Sequence, residues 1–340
     1  MTRNQIVIVS NIEDPHTDEV LQVLQEMGHE PIRLNTNDIP FNTTMSLGWG
    51  KDMSAGNGSI IIRTNGRVID TENIRSIWWR RPRAFRFPAN FTEREREFAK
   101  DEIQHVLRGL WASLDCYWIS YPEHIRQASW KGHQLQRAAQ LGFDIPRTLI
   151  TTDPQEARAF YDACDGRIVY KVLTDPYLGA PKIAEKHPDQ PPPEAYGTRT
   201  TVITPSELAL LDSVQSVPCL FQEYIPKRVE LRVTVIGDEI FAAEIHSQTH
   251  DKTRIDWRHY DVDIPYQKAT LPMEVAERCL ALVKSYQLNF SAIDLILTPD
   301  ERYVFLENNP NGQFIFVEER IPELRMTEAL AACLIRGANS

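Results

Sequence analysis

Several common signatures are missing from the 340-residue sequence, and each absence excludes a class of protein. The five cysteines are scattered with no C-x-x-C pair, so we expect neither a disulfide framework nor a cysteine-bound zinc. No apolar run approaches the roughly 18 residues that cross a bilayer. The first residues, MTRNQIVIVSN, hold an apolar run too short for a signal peptide. These absences predict a reduced, cytoplasmic protein without a membrane partner.

Basic residues are also in deficit. The chain has 37 Lys and Arg against 47 Asp and Glu, a formal net charge of -10 at pH 7. We expect no nucleic-acid partner, because neutralising a phosphate backbone needs a basic face. A nucleotide is still compatible with this charge, since it needs only a local cationic pocket. Neither G-x-G-x-x-G nor a P-loop occurs, so those two phosphate-binding turns are excluded.

Hydrophobic patterning predicts a mixed α/β (α+β) fold of several domains. At roughly 150 residues per domain, the length corresponds to two or three. The run from QIVIVS to HEPIRLN reads as strand, helix, strand, a small α/β layer. Thr92, followed by Glu95, predicts a capped helix to Leu114. Its predicted core face comprises Phe98, Ile103, Val106, Leu107, Leu110 and Leu114.

The segment SAIDLILTPDERYVFLENN predicts a β-hairpin near the C-terminus. If residues 299–302 form its loop, Thr298 faces Tyr303, and counting back along both strands places Asp294 opposite Glu307. Like charges directly opposite one another destabilise a ladder. These two carboxylates, which have apolar neighbours in the sequence, therefore need a cation.

Mg²⁺ is the cation that this set of side chains suits. The period of two along a strand puts Asn309 on the same face as Glu307. Together with Asp294, these residues offer three oxygen ligands of the kind that Mg²⁺ binds, and phosphate oxygens and water typically complete its octahedron. The alternative is an exposed edge hairpin whose acids are simply solvated.

Four basic residues are candidates for binding anions. Lys171 lies within the strand-forming run RIVYKVL, where a lysine is rarely fully buried without a partner. Lys131 lies in the first turn of a predicted helix, where a positive charge opposes the helix dipole. Their alternatives are an edge-strand lysine that blocks aggregation and a solvated helical lysine. Arg254 and Arg258, around DWRHYD, either bind an acidic substrate or pair with local aspartates.

The segment FQEYIPKRVELRV carries a further group of candidates. The end of its first strand comprises Gln222, Glu223, Tyr224 and Ile225. A hinge there can hydrogen-bond an adenine edge through exposed backbone groups. Glu230 and Arg232 share one face of the next strand, where a carboxylate can bind the two hydroxyls of a ribose. The alternative for these two is a surface Glu–Arg ladder pair that contributes little.

In this order, the elements resemble the ATP-grasp superfamily. The matching elements are the helix-start Lys131, the strand Lys171, the hinge QEYI, the ELR strand, and an Asp followed by an E-x-N-P element at Glu307–Pro310. The closer resemblance is to the microviridin-type, or graspetide, peptide ligases, and it covers nearly the whole chain. It is carried by SIWWRRP, YIPKRVELRVTVIGD, AAEIHSQ, DWRHYD and FLENNPNGQF. Between Lys171 and Gln222, where many ATP-grasp enzymes have a glycine-rich loop, the only glycines are Gly179 and Gly197.

The resemblance implies an ATP-grasp fold with an N-terminal pre-ATP-grasp α/β domain (1–120), a central domain (121–217) and a C-terminal domain (218–340). ATP would lie between the last two. By position, Lys131 and Lys171 would contact the ATP phosphates, Gln222–Ile225 would form the adenine hinge and Glu230 would bind the ribose. Asp294, Glu307 and Asn309 would hold Mg²⁺, and Arg232 would face the transferred phosphoryl group. Arg232 and Lys171 are thus the implied catalytic residues.

The activity implied by the resemblance is ATP-dependent peptide ligation. Asp or Glu side chains of a ribosomal precursor peptide would be activated as acyl phosphates and joined to a Ser or Thr hydroxyl or a Lys amine of the same peptide. The partner is a precursor with a leader and an acid-rich core, and a homodimer is also implied. We expect the leader groove at the proline-rich loop between Thr174 and Gly197, predicted to be mobile. We expect the core peptide to bind near the arginine-rich stretches.

Two alternatives stay open at this stage. One is an ATP-grasp ligase of the ribosomal-protein glutamylation type, which adds free amino acids to a protein tail or a small molecule. The other is a nucleotide-binding, peptide-docking module without turnover. The first adds mass to its substrate, whereas macrocyclisation removes water, and the second releases no ADP.

Overall fold

The structure is a computed structural model and describes residues 3–49, 59–174, 177–178, 196–197, 200–259 and 261–337. The strands are β1 (Gln5–Ser10), β2 (Ile32–Asn35), β3 (Thr43–Gly48), β4 (Ser59–Thr64), β5 (Arg67–Asp70), β6 (Ile74–Trp79), β7 (Tyr117–Ile119), β8 (Thr148–Thr151), β9 (Ile168–Lys171), β10 (Tyr177–Leu178), β11 (Tyr196–Gly197), β12 (Thr201–Val202), β13 (Cys219–Glu223), β14 (Val229–Ile236), β15 (Glu239–Ile245), β16 (Tyr266–Ala269), β17 (Phe290–Leu297) and β18 (Tyr303–Asn309). The α-helices are α1 (Pro15–Glu26), α2 (Glu93–Ser113), α3 (Pro122–Ala128), α4 (Lys131–Gln140), α5 (Pro154–Ala163), α6 (Pro205–Leu208), α7 (Met273–Ser285), α8 (Ile315–Glu318) and α9 (Met326–Arg336). Within the described ranges, none of these helices is long and apolar enough to cross a membrane.

A four-stranded parallel sheet, in the order β2-β1-β6-β7, forms the N-terminal part. Parallel strands need a crossover connection, and α1 supplies it between β1 and β2. All residues from Ile6 to Val9 are buried, as expected for a parallel strand covered on both faces, which explains the unbroken apolar run. A second sheet, β3-β4-β5, is antiparallel. The predicted α/β layer is confirmed.

Helix α2 begins where the sequence predicts but buries less of its surface. Thr92 caps it through the predicted capping box with Glu95. The predicted core face is wrong for the first part of the helix, since Phe98 is 69% exposed and no helical residue before Leu107 is buried. The later part packs into the core of the N-terminal sheet through Leu107 and Leu110, and Ile103 and Leu114 pack against that core. Val106, also predicted to be core, is 37% exposed. The helix extends beyond the sheet that it covers.

The central sheet has four antiparallel strands in the order β12-β9-β13-β8. Strand β9 ends at Lys171, which therefore lies at the strand end rather than in its middle. Before β13, the chain forms the short α6 and then a 3₁₀ helix, Leu211–Ser216. Leu211 and Val214 are its buried positions, and their spacing of three matches a 3₁₀ turn. The predicted proline-rich loop, with its expected leader groove, lies outside the described residues apart from β10 and β11.

The C-terminal sheet has five antiparallel strands in the order β16-β15-β14-β17-β18. Helix α7 packs on one face, where Val233, Leu282 and Ile293 belong to a single core. Helix α9 contacts β14 and also α1 and β6 of the N-terminal part. There, Ser76 Oγ donates a 2.7 Å hydrogen bond to the carbonyl of Leu334. The N-terminal and C-terminal sheets therefore share one continuous core.

The C-terminal hairpin pairs Asp294 with Glu307 as predicted, although the predicted register near the loop is wrong. Tyr303 lies opposite Leu297, not opposite Thr298. A one-residue bulge in β18, just before Glu307, then shifts the register and restores the predicted pairing. Without the bulge, Glu307 would face away from Asp294, because successive side chains of a strand alternate between faces.

Replacing Leu282 by Ala tests the α7 core. Leu282 is fully buried, so the cavity left behind should lower the free energy of unfolding by about 2–5 kcal/mol. Leu210→Ala is the matched control, since Leu210 is 67% exposed, and its cost should stay below about 0.5 kcal/mol. Urea unfolding of both variants measures the difference, and equal costs would contradict this packing.

Candidate active site

Three charged residues form a row across the C-terminal sheet. The register aligns Arg232 of β14 with Asp294 of β17, and Asp294 with Glu307 of β18. Arg232 Nη1 donates a 2.8 Å hydrogen bond to Asp294 Oδ1. The row lies on the face away from α7, because the neighbouring Leu231 and Ile293 point into the α7 core. The facing acids expected from the sequence are therefore present.

Asn309 and Lys131 complete the contacts of the two acids. Asn309 Nδ2 lies 3.0 Å from Asp294 Oδ2 and 3.1 Å from Glu307 Oε1. Lys131, the first residue of α4, places Nζ 2.5 Å from Glu307 Oε2. Each carboxylate thus has a cation of its own, Arg232 or Lys131, and both share one amide. These contacts offset the repulsion that facing acids create on a ladder.

Burial and neighbouring charges separate the pKa values of the two acids. Burial raises the pKa of Asp294 to about 6, with Glu307 adding to the effect and Arg232 opposing it. Burial also disfavours the ionised form of Glu307, but the ammonium groups of Lys131 and Lys171 outweigh it and hold the pKa of Glu307 well below its usual range. At neutral pH Glu307 stays ionised, while Asp294 is closer to taking up a proton.

Lys171 brings a further positive charge to the row from the central sheet. Burial lowers its pKa to about 8, and its charge interacts with those of Glu307, Lys131 and Lys227. Within the described residues, no carboxylate lies within ion-pair distance of the Lys171 ammonium. Lys171 is half-buried, and an ammonium in this position favours an anion as its partner.

Gln134 of α4 fixes the strand that carries Glu307. Its side chain is 3% exposed, donates a 2.7 Å hydrogen bond to the carbonyl of Asn308 and accepts a 3.0 Å hydrogen bond from the Asn308 N–H. Asn308 Oδ1 also accepts a 2.6 Å hydrogen bond from Ser291 Oγ. These contacts hold the bulged strand on both sides of its axis, and so they set where Glu307 and Asn309 point.

Glu230 pairs with Lys227 rather than with Arg232. Lys227 Nζ lies 2.8 Å from Glu230 Oε1 and 2.8 Å from the carbonyl of Ile255, and the lysine side chain is 5% exposed. The Glu–Arg ladder pair considered as an alternative is wrong, because the adjacent strand supplies Asp294 to Arg232. One oxygen of Glu230 is thus held by the turn that precedes β14.

The end of β13, from Gln222 to Ile225, is anchored within the central sheet. Arg147 holds the Glu223 carboxylate through Nε at 3.1 Å and Nη2 at 3.2 Å, and this contact lowers the pKa of Glu223. The N–H groups of Glu223 and Tyr224 donate 2.9 Å hydrogen bonds to the carbonyls of Arg147 and Arg167. The register also pairs Gln222 with Thr148 and Val169, so the part of this segment that is hydrogen-bonded within the central sheet runs as far as the Tyr224 N–H.

Both arginines around DWRHYD pair with nearby aspartates. Arg258 Nε lies 2.8 Å from Asp256 Oδ1 and Nη2 lies 2.6 Å from Oδ2, a two-point contact. Arg254 Nη1 lies 3.1 Å from Asp251. The Arg258 guanidinium also interacts electrostatically with both acids of the row. Of these two arginines, Arg258 is therefore the one that faces the site.

Cations outnumber acids around the row. The cations are Lys131, Lys171, Lys227, Arg232 and Arg258, and the acids are Glu230, Asp256, Asp294 and Glu307. A cavity of about 550 Å³ lies beside them, between the first turn of α4 and the end of β18. A larger cavity, about 830 Å³, lies between α2 and β3 and is lined by none of these charges. We take the smaller cavity as the site, because Lys131, Glu307 and Asn309 line it.

Comparison with known proteins agrees with this geometry. A family model described as the MvdD pre-ATP grasp domain matches residues 5–126. The macrocyclase MdnC of Microcystis aeruginosa MRC, solved with its precursor peptide MdnA, is 32% identical with a TM-score of 0.82, and the match covers 97% of this chain and 99% of MdnC. The chain belongs to the family of graspetide-type ATP-grasp ligases.

Two further solved structures resemble this ligase over its length. A RiPP-associated ATP-grasp ligase of Chryseobacterium gregarium, in complex with ADP and a leader and core peptide, is 27% identical with a TM-score of 0.86, covering 97% of this chain and 96% of that one. The macrocyclase MdnB of Microcystis aeruginosa MRC is 28% identical with a TM-score of 0.77, covering 98% and 99%. A search of the curated proteins finds no match. The predicted family and ATP-grasp fold are confirmed.

The ligase gathers most of its predicted site residues in one region. The residues brought together are Lys131, Lys171, Glu230, Arg232, Asp294, Glu307 and Asn309. Gln222 and Glu223 end β13, which pairs with the strand that ends at Lys171, and Tyr224 and Ile225 follow it. The functional role of each residue stays a prediction.

Motif order misses the residues that hold the others in place. Gln134, Lys227 and Asp256 each bind a predicted site residue or the strand that carries one. Gln134 leaves a signal, since it is a polar residue on the helix face that also buries Leu135 and Ala138. Lys227 and Asp256 lie three and two residues from their partners Glu230 and Arg258. Both lie in irregular segments, where no helix or strand period predicts which side chains meet.

The arginines of SIWWRRPR lie in different surroundings, and the expectation that a core peptide binds near the arginine-rich stretches stays a prediction. Arg80 is 1% exposed, and its guanidinium contacts Asp14 at 3.2 Å. Arg83 pairs with Glu13 at 2.6 Å. Only Arg81 among these arginines is exposed without an ion pair within the described residues. A basic cluster in the sequence is here divided between the interior and the surface.

Lys171→Met tests whether the Lys171 charge destabilises the fold and, at the same time, contributes to ligand binding. Because burial lowers the pKa of Lys171 to about 8 in the folded chain, the ammonium destabilises the fold below that pH. The variant should melt higher than the wild type at pH 7, and the gain should shrink as pH rises above 8. The stabilisation that added MgATP gives the wild type should decrease in the variant.

Thermal unfolding between pH 6 and 10 checks this prediction. Lys284→Met is the matched control, because the Lys284 side chain is 64% exposed, and it should leave both melting and the MgATP effect unchanged. A lower melting temperature for Lys171→Met at pH 7 would contradict the prediction.

Proposed function

We propose that this ligase uses ATP to activate Asp or Glu side chains of a ribosomally made precursor peptide and to cross-link them within the same peptide. The products are esters with Ser or Thr, or amides with Lys. The observation that carries the proposal is the row of Arg232, Asp294 and Glu307, in which Lys131 pairs with Glu307. The chain that carries this row is 32% identical to a macrocyclase solved with its precursor. A second relative was solved in complex with ADP and a leader and core peptide.

The donor set of the row fits Mg²⁺. Asp294 and Glu307 face one another, and the Asn309 amide contacts both. Turning that amide over would present its oxygen, so all three side chains can offer the hard oxygen ligands that Mg²⁺ takes. Among the described residues, no cluster of three or more His, Cys, Asp and Glu forms a metal site, which agrees with a site completed by an amide and phosphate oxygens. Bound Mg²⁺ would supply neutralising charge at those oxygens.

The cations around the row are placed to bind a triphosphate. Lys131 and Lys171 both act on Glu307, so together they carry more positive charge than that one acid neutralises. Arg232 donates through Nη1 to Asp294 and through Nη2 to the carbonyl of Gln313 at 2.9 Å. Its buried Nε–H has no hydrogen-bond partner among the described residues. The two contacts use two of the five guanidinium N–H groups, and we assign the remaining donors to the transferred phosphoryl group.

The nucleoside of ATP is assigned to the adjacent segments. The backbone of Gln222–Ile225 would contact the adenine edge, and the Glu230 oxygen that Lys227 does not hold would accept from the ribose hydroxyls. With these contacts, ATP would lie between a central domain (121–217) and a C-terminal domain (218–340), which follow an N-terminal domain (1–120). These boundaries are part of the proposal, as is a cytoplasmic location, where ATP is available and the five cysteines stay reduced.

The reaction divides into two substitutions. A peptide carboxylate oxygen attacks the γ-phosphorus, its new P–O bond replaces the bond to the β-phosphate oxygen, and ADP leaves. The hydroxyl or amine of the peptide then attacks the acyl carbonyl, phosphate leaves, and the nucleophile's proton passes to solvent or phosphate. Lys131, Lys171 and Arg232 hold the oxygens that gain charge, and positioning supplies much of the rate. Arg258 faces the same acids and is placed to meet an anionic substrate group.

The two alternatives receive less support. Amino-acid addition of the glutamylation type would not require a precursor, whereas MdnC was solved with one. A module without turnover would not need the Arg232 and Lys131 contacts that keep two acids facing each other. A homodimer stays a prediction.

Mass spectrometry of a precursor peptide with a leader and an acid-rich core tests the proposed reaction. With MgATP and the ligase, each cross-link should remove one water, a loss of about 18 Da, with one ADP released per ring. A gain in mass would support amino-acid addition instead. An intact precursor mass and no ADP would refute the proposal.

Asp294→Asn and Glu307→Gln test the acid row. Each should lower peptide-dependent ADP release by at least about 10²-fold, because oxygen ligands for the metal and the charge balance of the row are both lost. Binding of the precursor leader should stay within about threefold of wild type, since neither acid is expected to contact it. Arg232→Lys should also fail, because an ammonium cannot reproduce the planar fork.

Glu301→Gln is the matched control for these acids. Glu301 lies on the same hairpin, pairs with Arg228 and is exposed. Its variant should keep wild-type ADP release. Wild-type turnover in Asp294→Asn or Glu307→Gln would contradict the assignment of the row.

A further inference from the structure

A buried arginine of the N-terminal part reaches into the loop that follows the acid row. Arg80 comes directly after β6 and is 1% exposed. Its Nη1 donates hydrogen bonds to the carbonyls of Asn311 at 2.6 Å and Gly312 at 2.9 Å, and the Asn311 side chain donates back to the Arg80 carbonyl at 2.7 Å. Arg80 thus holds a loop that lies more than 200 residues further along the chain.

Asp14 supplies the charge that Arg80 needs in the interior. Its Oδ2 lies 3.2 Å from Arg80 Nε and also accepts hydrogen bonds from Ser10 Oγ at 3.1 Å and Thr17 Oγ1 at 2.9 Å. Although burial opposes it, the neighbouring His16 ring and the Arg80 charge keep the pKa of Asp14 well below its usual range. A buried ion pair of this kind adds little stability by itself, whereas it fixes geometry closely.

His16 holds the next part of the same loop. Its Nε2 accepts hydrogen bonds from the N–H groups of Phe314 at 3.1 Å and Ile315 at 3.4 Å. Since Nε2 accepts, the ring carries its proton on Nδ1, which lies 3.4 Å from Asp14 Oδ1. Burial lowers the pKa of His16, which keeps this neutral form. The ring also packs edge-on against Phe314, with centroids 5.0 Å apart.

The loop that Arg80 and His16 hold fixes the positions of Arg232 in the row and of Asn309 beside it. It begins at Asn309, whose amide contacts both acids, and its Gln313 carbonyl accepts from Arg232 Nη2 at 2.9 Å. Gly312 packs so closely that an added Cβ would lie 2.5 Å from Ala292 Cβ and 2.9 Å from Arg232 Nη2. The loop therefore cannot move without moving Arg232 or Asn309.

We propose that Arg80, Asp14 and His16 are positioning residues of the ligase, which hold the loop of residues 309–315 so that Arg232 and Asn309 are aligned with the two acids. This role rests on the proposed function of the row. It makes the N-terminal part a component of the active site, although none of the three residues contacts a substrate.

His16→Phe and His16→Gln separate positioning from packing. Phenylalanine keeps a ring against Phe314 but offers no acceptor, whereas the side-chain oxygen of glutamine can accept from the loop N–H groups. His16→Phe should lower kcat of precursor-dependent ADP release at least about tenfold and leave KM for ATP within about threefold, because the lost alignment acts on the transition state. His16→Gln should recover most of kcat. Amide exchange of Phe314 and Ile315 should accelerate in His16→Phe and recover in His16→Gln.

Arg80→Lys provides the second test, with Arg33→Lys as its matched control. Lysine cannot bind Asp14 and two carbonyls at once, so Arg80→Lys should lower kcat at least about tenfold while the variant remains folded. Arg33 pairs with Asp18 in the same N-terminal part and does not reach the loop, so its variant should keep wild-type kcat and exchange.

Several results would overturn the positioning role. They are a folded His16→Phe or Arg80→Lys with wild-type kcat, a His16→Gln no better than His16→Phe in both readouts, or a crystal structure of His16→Phe with Arg232 still on Asp294 and Gln313. A wild type without ADP release would refute the proposed function instead. The exchange data and that crystal structure would then still decide whether these residues align Arg232.

Discussion

The carboxylates of Asp294 and Glu307 face one another across a β-ladder, and the rest of the site must offset their repulsion. Such a pair repels, so it persists only where cations and donors surround it. The protein brings these from different elements: Arg232 from the neighbouring strand, Lys131 from a helix start and Asn309 from the strand end. The result is a pair of acids that are already charge-balanced before any metal or nucleotide arrives.

The surplus of cations around this pair explains how an acidic protein can bind a triphosphate. The chain carries a formal net charge of -10, yet five basic side chains meet four acids near the row. Long-range attraction of anions is weak for such a chain, whereas a partly buried cationic cleft is screened little by salt. Affinity for ATP therefore depends on local placement, and the same placement stabilises the charge that develops during phosphoryl transfer.

Support for the row comes from all parts of the chain. Gln134 holds the bulged strand from α4, Lys227 holds Glu230 from a turn, and Arg80 with His16 holds the loop beyond the row from the N-terminal sheet. The shared core between the N-terminal and C-terminal sheets makes the last of these contacts rigid. This arrangement gives a physical reason for an N-terminal domain that contributes no substrate contact in our proposal.

Much of the fold was accessible from local patterns in the sequence. Alternating and continuous apolar runs predicted the strands, and the Thr92 and Glu95 capping box predicted the start of α2, because these signals depend on neighbours within a few residues. The sequence also predicted that Asp294 faces Glu307. The residue count behind that prediction was one residue out of register, and the bulge in β18 cancelled this error. Periodicity cannot show a bulge, since it arises where packing bends a strand.

The sequence by itself determined which residue types and which order of motifs are present, and therefore the family and the candidate acids and lysines. Only the tertiary structure decided that Arg232 pairs with Asp294, that Arg80 is buried and that His16 accepts from the loop after β18. The physical reason is distance along the chain. Contacts between residues up to 298 positions apart depend on how sheets pack, and no local preference of either residue encodes them.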